Sequence, residues 1–175
     1  QSPSIKRPLL AIISIIQTFP SVAILALVVA LLGGQIGVLP AVVALVLYSI
    51  LPIARNTVTG MDSVPSEVVE AAMGIGMNAQ QVLVKVKLPL AMPVIIAGIR
   101  TAAVWTVGLA TLSTLVGATS FGNYIFTGLQ TRNLVSVTVG SIAAATMAVI
   151  LDALIAGVQW LVENRNKKSI DSSKY

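Results

Sequence analysis

An almost uninterrupted apolar stretch near the amino end is the feature that most constrains this chain. Between Leu9 and Asp62 only Arg55 carries a charge, and aliphatic residues dominate. A bilayer core of about 30 Å requires helices of roughly twenty apolar residues. Similar runs recur later, and 56% of the residues are hydrophobic while only 10% are charged. We therefore interpret the sequence as an all-α integral membrane protein.

Four spans can be placed on these apolar runs. They cover residues 9–32, 36–54, 89–116 and 134–162, and a polar segment at 55–88 separates the second from the third. Several runs contain proline, which a helix bundle tolerates because neighbouring helices satisfy the freed carbonyl groups. We expect residues 1–175 to form a single transmembrane domain.

Basic residues predict how these spans are oriented. With the 55–88 segment inside, all the lysines and arginines are cytoplasmic except Arg132, which lies outside, and Arg100, which lies within a span. The inverted orientation would leave only Arg132 inside. Since lysine and arginine concentrate in cytoplasmic loops, we expect the carboxyl terminus in the cytoplasm.

The residue types that are missing exclude several functions. The chain has no cysteine and no histidine, so thiolate chemistry and the commonest metal ligand and general base are absent. It also lacks the Gly-x-x-x-x-Gly-Lys-Ser/Thr loop that binds nucleotide phosphates. Its net charge of +5 comes from residues that flank the spans, which argues against nucleic acid. We expect no enzyme activity, no metal and no cofactor in this subunit.

The polar segment is predicted to begin with a short amphipathic helix. Asp62 or Ser63 would cap this helix, and Pro65 would lie in its opening turn, where a missing N–H matters little. Glu67 would lie on its polar face. The apolar stripe expected on the opposite face consists of Val64, Val68, Ala71, Ala72 and Ile75.

A second short helix is predicted after a glycine break. Gly74 and Gly76 would interrupt the first helix, since glycine adopts backbone angles that other residues avoid. Asn78 followed three residues later by Gln81 matches a capping box. Leu88-Pro89 is expected to end this second helix at the membrane surface.

Such a hairpin could simply pack on its own bundle, but two properties favour a protein partner. The segment is longer than a connection between neighbouring spans requires. Its charges also balance, whereas a helix that binds anionic lipid is basic. The opposing charges are Arg55, Lys85 and Lys87 against Asp62, Glu67 and Glu70.

Within this segment Glu70-Ala71-Ala72 is followed by Gly76, then by Val86, and then by Leu88-Pro89. The spacing resembles the coupling-loop motif in permease subunits of binding-protein-dependent ABC importers. The resemblance implies the transmembrane domain of a type I importer. It also implies a cytosolic ABC ATPase dimer that binds the ATP, a second permease copy or paralogue, and an extracytoplasmic substrate-binding protein. Residues implied to contact the ATPase are Glu70, Ala71, Ala72, Gly74, Gly76, Leu88 and Pro89.

Motifs outside this segment resemble one group of these importers, the permeases for glycine betaine, carnitine and choline. The resemblance covers residues 17–21, 47–57, 98–102, 110–112 and 124–129. It implies a multi-pass protein of the bacterial cell membrane that carries osmoprotectant quaternary amines. Such permeases usually have a further span upstream, so we expect one span to be missing from the amino end here.

One part of the chain departs from that group. After Val116 these permeases commonly have Gly-Ala-Gly-Gly-Leu-Gly, whereas this chain has Thr119 and Ser120 at the third and fourth positions. These side chains reduce the backbone freedom of the turn on the predicted outer side. The aromatic residues Tyr48, Trp105 and Trp160 are isolated in the spans, so cation–π selection is expected in the binding protein.

Two charges within the spans form a candidate ion pair. Arg100 lies eleven residues after Pro89, and Asp152 lies eleven residues before Glu163. At 1.5 Å per residue both would lie about 16 Å from the cytoplasmic surface. An unpaired charge at that depth is unfavourable by about 3 kcal/mol. Alternatively, Arg100 reaches the interface or lines the path and Asp152 meets other donors.

Three other functions remain open from the sequence. The first is an importer of the same class for another small solute, such as methionine or a sulfonate. The second is a channel or scaffold without an ATPase. An integral membrane enzyme is the least favoured, because the spans carry no acid–base or metal constellation.

Overall fold

The computed structural model describes residues 18–171 and the isolated positions Pro8, Ala11 and Ile15, with side chains described as far as Val162. All regular structure in this part of the chain is helical, as the sequence predicted. The helices are α1 (Ser21–Leu31), α2 (Val38–Asp62), α3 (Ser66–Gly74), α4 (Ala79–Val82), α5 (Leu88–Leu112), α6 (Gly122–Gln130) and α7 (Leu134–Asp171). A π-helical segment, Leu83–Lys87, joins α4 to α5, and a 3-10 turn, Ser113–Val116, follows α5.

In the described part of the chain, three helices are long and apolar enough to cross a membrane. They are Val38–Asp62, Ala79–Val116 and Leu134–Val162. The third predicted span is part of a longer helix, and the second overlaps a helix that begins at Val38. Both helices extend into the predicted cytoplasmic segment. Helix α1 has 11 residues, and most of the earlier part of the first predicted span lies outside the described residues. The membrane boundaries themselves stay predictions.

The chain divides into two units, of which the first comprises Gln1–Leu51 and Ala102–Asp152. Its core is formed where α1 packs on α2. Tyr48 of α2 packs against this core, and its hydroxyl donates to the carbonyl oxygen of Phe19 at 3.0 Å. The buried core residues are Ile24, Leu25, Val28 and Ala44, with Val43, Leu112 and Val116 packed against them.

The second unit comprises Pro52–Thr101 and Ala153–Tyr175. Here α2 and α5 approach each other closely at two glycines. A Cβ added to Gly98 would lie 2.5 Å from the Cβ of Asn56, and one added to Gly60 would lie 3.0 Å from the carbonyl oxygen of Ala91. Small residues let membrane helices pack with their backbones close together. The two helices that flank the polar segment are therefore held tightly against each other.

Candidate functional site

Helix α3 begins later than the sequence predicted. Its N-cap is Pro65, with φ −57° and ψ 137°, and Asp62 is the last residue of α2. Ser63 instead donates its hydroxyl to the carbonyl oxygen of Gly60 at 2.8 Å. The prediction that Asp62 or Ser63 caps α3 is therefore wrong. The final carbonyl groups of α2 need donors of their own, and Ser63 supplies one of them.

A glycine elbow, residues 74–78, ends α3. The N–H of Gly76 donates to the carbonyl of Met73 at 3.0 Å, and the N–H of Met77 donates to that of Ala72 at 3.1 Å. This pair of bonds is the Schellman motif, in which the first residue after the helix cap adopts a left-handed conformation. Gly76 is that residue, with φ 89°. Gly74 is the last residue of α3, so the break predicted at two glycines is made by one.

The predicted capping box at the start of α4 is confirmed. The backbone N–H of Gln81 donates to Oδ1 of Asn78 at 2.9 Å, and the N–H of Asn78 donates to Oε1 of Gln81 at 2.9 Å. Two N–H groups that the helix itself leaves without acceptors are satisfied in this way. The direction in which the chain leaves the elbow is therefore set by local hydrogen bonds.

Helix α4 does not end at Leu88-Pro89, so that prediction is wrong. The chain continues through the π segment into α5 as one helical rod, Ala79–Val116, of 38 residues. Within an α-helix the ring of Pro89 would clash with the carbonyl of Lys85, four residues earlier. Lys85 lies in the π segment, where the wider turn changes that spacing. The rod directly links the elbow to the apolar helix.

Most of the predicted contact residues are exposed on this segment. Glu70, Ala71, Gly74 and Gly76 are exposed, Leu88 and Pro89 are half-buried, and Ala72 is buried. Helix α3 contacts α4 and the π segment. The first five of these residues along the chain thus lie in one hairpin, with Ala72 buried in it, while Leu88 and Pro89 begin α5. Their contact with an ATPase stays a prediction.

The apolar stripe predicted for α3 is mostly exposed, and Val64 and Ile75 lie just outside the helix, Ser66–Gly74. Only Ala72 is buried, whereas Ile75 is 79% exposed, the highest value among the exposed large hydrophobic residues of the described part. Met73 is also exposed, at 52%. We call Met73 and Ile75 the elbow surface. The sequence places Ile75 on the apolar stripe, and its position beside a glycine turn is the signal that indicates exposure.

Arg100 reaches a partner that the sequence analysis did not consider. Its Nη1 donates to Oε1 of Gln159 at 3.4 Å, which links α5 to α7 within the second unit. Gln159 lies two helical turns after Asp152, so both polar residues occupy the same face of α7. That spacing is the sequence signal for Gln159. The pairing of Arg100 with Asp152 stays a prediction.

The turn at residues 117–122, which follows the 3-10 turn, is tied by a network of polar side chains. The hydroxyls of Thr114 and Ser120 lie 2.7 Å apart, and Ser120 Oγ also accepts from the N–H of Gly122 at 3.1 Å. The N–H of Ser120 donates to Oδ1 of Asn123 at 2.7 Å. We call these contacts the turn network. They use the side chain of Ser120, one of the two residues that stand in place of glycine in that pattern.

A cleft of about 440 Å³ opens beside this turn, entirely within the first unit. Helix α5, the turn, α6 and α7 each contribute to its walls. Its described lining is almost wholly apolar and includes Val107, Thr111, Ser120, Phe121, Tyr124 and Met147. Within the described ranges, no three histidine, cysteine, aspartate or glutamate residues are grouped so that they could hold a metal ion.

Comparison with known proteins gives three consistent results. A sequence profile described as "Binding-protein-dependent transport system inner membrane component" matches residues 1–168. The choline transport system permease protein OpuBB of Bacillus subtilis (strain 168) is 43% identical over 148 residues, which cover 85% of this chain and 67% of that protein. The glycine betaine/carnitine/choline permease protein OpuCB of the same organism is 42% identical, with 82% and 65% covered.

A third relative and a solved structure extend this comparison. The osmoprotectant import permease protein OsmY of Salmonella typhimurium is 48% identical over 139 residues, covering 79% of this chain and 58% of that protein. The chain thus spans about three fifths to two thirds of the length of these relatives. A structure of the MetNI methionine ABC transporter in inward-facing conformations has TM-score 0.80 at 21% identity and covers 91% of this chain and 76% of that chain. This likeness concerns the fold alone.

Proposed function

Because the chain belongs to the family of binding-protein-dependent transport system inner membrane components, we propose that it is the permease subunit of an ATP-driven importer for quaternary amines such as glycine betaine, carnitine and choline. The family and the three apolar helices make it a multi-pass membrane protein. The names of three relatives at 42–48% identity support the class of solute. In this proposal the subunit moves the solute, and a partner hydrolyses ATP.

The elbow surface is the observation that carries the mechanism. Met73 and Ile75 expose apolar side chains outside the predicted spans, where water makes such exposure unfavourable. A groove on a cytosolic ATPase dimer would remove both side chains from water. The charged residues Glu67 and Glu70 beside them are exposed, so they would lie at the rim of such a contact.

The helical rod provides a path from that contact to the membrane. Because α4 passes without a break through the π segment into α5, a displacement of the elbow would move the start of the apolar helix. The glycine contacts of α5 with α2 would carry the same displacement to the second helix. In a pair of permease copies or paralogues, these movements would alternate access between a cytoplasmic opening and an external binding protein. In this proposal the elbow and the carboxyl terminus both lie on the cytoplasmic side.

The experiment is co-purification of the permease with its ATPase, followed by ATP-dependent uptake in proteoliposomes. We expect Ile75→Asp to abolish co-purification and uptake of choline. Leu129→Asp is a matched control, since Leu129 is 58% exposed and lies in α6, outside the predicted spans and far along the chain from the elbow. Retention of the ATPase by Ile75→Asp, or uptake that persists without ATP, would contradict the proposal and favour a channel or scaffold. Competition by methionine but not by betaine, carnitine or choline would contradict the solute class.

Arg100 and Asp152 form a second part of the proposal, as an ion pair that links α5 to α7. This part of the proposal rests on the equal predicted depth of the two charges in their spans, where an unpaired charge is unfavourable. Reversal of either charge alone is expected to abolish uptake, and reversal of both is expected to restore it. Failure of the double reversal to restore uptake would contradict the pairing.

A further inference from the structure

The cleft beside the turn network is lined by aromatic and thioether side chains as well as by aliphatic ones. The aromatic residues Phe121 and Tyr124 both line it, together with the thioether of Met147. Tyr124 is 57% exposed, so its ring is open to a ligand. Its Cβ lies against Gly140 of α7, where an added Cβ would approach it to 2.8 Å. The backbone of α6 therefore holds this tyrosine close to α7 at the cleft.

Two of the polar residues in the walls already have hydrogen-bond partners. Thr111 donates its hydroxyl to the carbonyl oxygen of Gly108 at 2.7 Å. Ser120 shares a hydrogen bond with Thr114 and accepts from the N–H of Gly122. These hydroxyls stabilise the walls of the cleft. A ligand that needs several strong hydrogen-bond acceptors, such as a primary ammonium ion, is poorly matched to the remaining lining.

The lack of charged residues in the described lining limits which ligands the cleft can bind. The described residues that line the cleft include no lysine, arginine, aspartate or glutamate. Aromatic faces attract cations through the ring quadrupole, and quaternary ammonium groups are bound by such faces. A quaternary ammonium has no N–H to satisfy, so methyl groups can contact apolar walls without loss of hydrogen bonds. The volume of about 440 Å³ lies within the range of small-molecule sites.

We infer that this cleft is a binding site for the quaternary ammonium group of the transported solute, with Tyr124 and Phe121 as the cation-binding residues. The inference rests on the proposed function and adds a site to it. The aromatic residues within the predicted spans are isolated, which predicted cation–π selection in the binding protein. Phe121 and Tyr124 lie between the predicted spans, and the fold brings them to one cleft. The permease itself therefore contributes to the choice of solute.

The test measures choline binding to the permease in complex with its ATPase, without the binding protein, in nanodiscs of phosphatidylglycerol. Saturation transfer from the protein to the choline methyl protons reports the contact, and empty nanodiscs give the background. We expect Tyr124→Leu to weaken binding by about 2- to 30-fold, since it keeps an apolar side chain and removes the ring. Tyr124→Phe should retain binding. Trp105→Leu is the control, because Trp105 is an exposed aromatic residue of α5 that is not among the lining residues.

Two results would overturn the inference. The first is equal choline binding by Tyr124→Leu and the parent protein. The second is binding of 3,3-dimethylbutan-1-ol, the neutral analogue of choline, as tight as that of choline, which would indicate an apolar site for a lipid chain. ATP-driven uptake of choline by the parent protein with its binding protein tests the proposed function separately. If the parent protein takes up choline but Tyr124→Leu binds choline normally, the cleft is not the binding site, although the proposed permease function still holds.

Discussion

The elbow at residues 74–78 and the turn at residues 117–122 both join helices through glycine, but their surroundings differ. A Cβ added at Gly76 would meet no described atom within 4 Å, whereas one added at Gly122 would collide with the carbonyl oxygen of Thr111. Ile75 at the elbow is exposed. The turn, in contrast, is stabilised by hydrogen bonds to side chains near it in the chain. The elbow thus has room for a partner, and the turn is packed against its own chain. Gly76 serves backbone conformation, whereas Gly122 serves close packing.

The largest effect is expected from Gly122→Ala. The added methyl group would overlap the carbonyl oxygen of Thr111 on the preceding helix, and a backbone contact cannot move aside as a flexible side chain can. Overpacking of this kind destabilises by about 3 kcal/mol. Thermal unfolding of the purified complex, followed by loss of monodisperse protein, measures the change. Unchanged stability would show that the turn is as open as the elbow.

Ser120→Ala should have the next largest effect. It removes the hydroxyl that contacts Thr114 and that accepts from the N–H of Gly122. Loss of these bonds, with a backbone N–H left unsatisfied, destabilises by about 2 kcal/mol. The same unfolding assay measures it. Thr119→Ala, at the neighbouring exposed residue, is the control and should be near neutral. Equal effects of the two would contradict the turn network.

Gly76→Ala should reduce stability less than the two variants of the turn, but it should impair the coupling of the permease to its ATPase. Alanine is strained at φ 89°, and the left-handed conformation is unfavourable for it by about 1 kcal/mol. Because the added methyl group would clash with no described atom, the protein should fold and reach the membrane. We expect a shifted elbow and a lower uptake rate per permease at unchanged expression. A loss of stability as large as that of Gly122→Ala would remove the contrast between the two regions.

The smallest effect on stability is expected from Gly74→Ala, the stability control for Gly76→Ala. Gly74 is the last residue of α3, and a Cβ there meets no described atom within 4 Å. Alanine favours the helix by about 0.5 kcal/mol in this position. Stability should be unchanged or slightly higher in the unfolding assay. Reduced co-purification of the ATPase by Gly74→Ala would show that the partner packs directly against Gly74.

Local features of the site were predictable because their causes lie within a few residues. The capping box needs only Asn78 and Gln81, and the Schellman motif needs a glycine just after a helix. Features that depend on competition between alternative hydrogen-bond partners or helix geometries were not predicted. Ser63 could cap α3 or bond back to α2, and the sequence does not say which acceptor is closer. Pro89 ends a helix under ordinary propensities, but the π segment before it allows the helix to continue.

The sequence by itself determined that this chain is all-helical, apolar enough for a membrane, and interrupted by a polar hairpin with an elbow at Gly76. These properties follow from hydropathy, backbone conformation and hydrogen bonds between near neighbours. Only the tertiary structure decided that Ile75 is exposed, that Arg100 meets Gln159, and that Phe121 and Tyr124 share one cleft. In a membrane protein apolar residues face both lipid and core, so hydropathy does not distinguish buried from exposed positions. That distinction comes from packing between residues far apart in the chain.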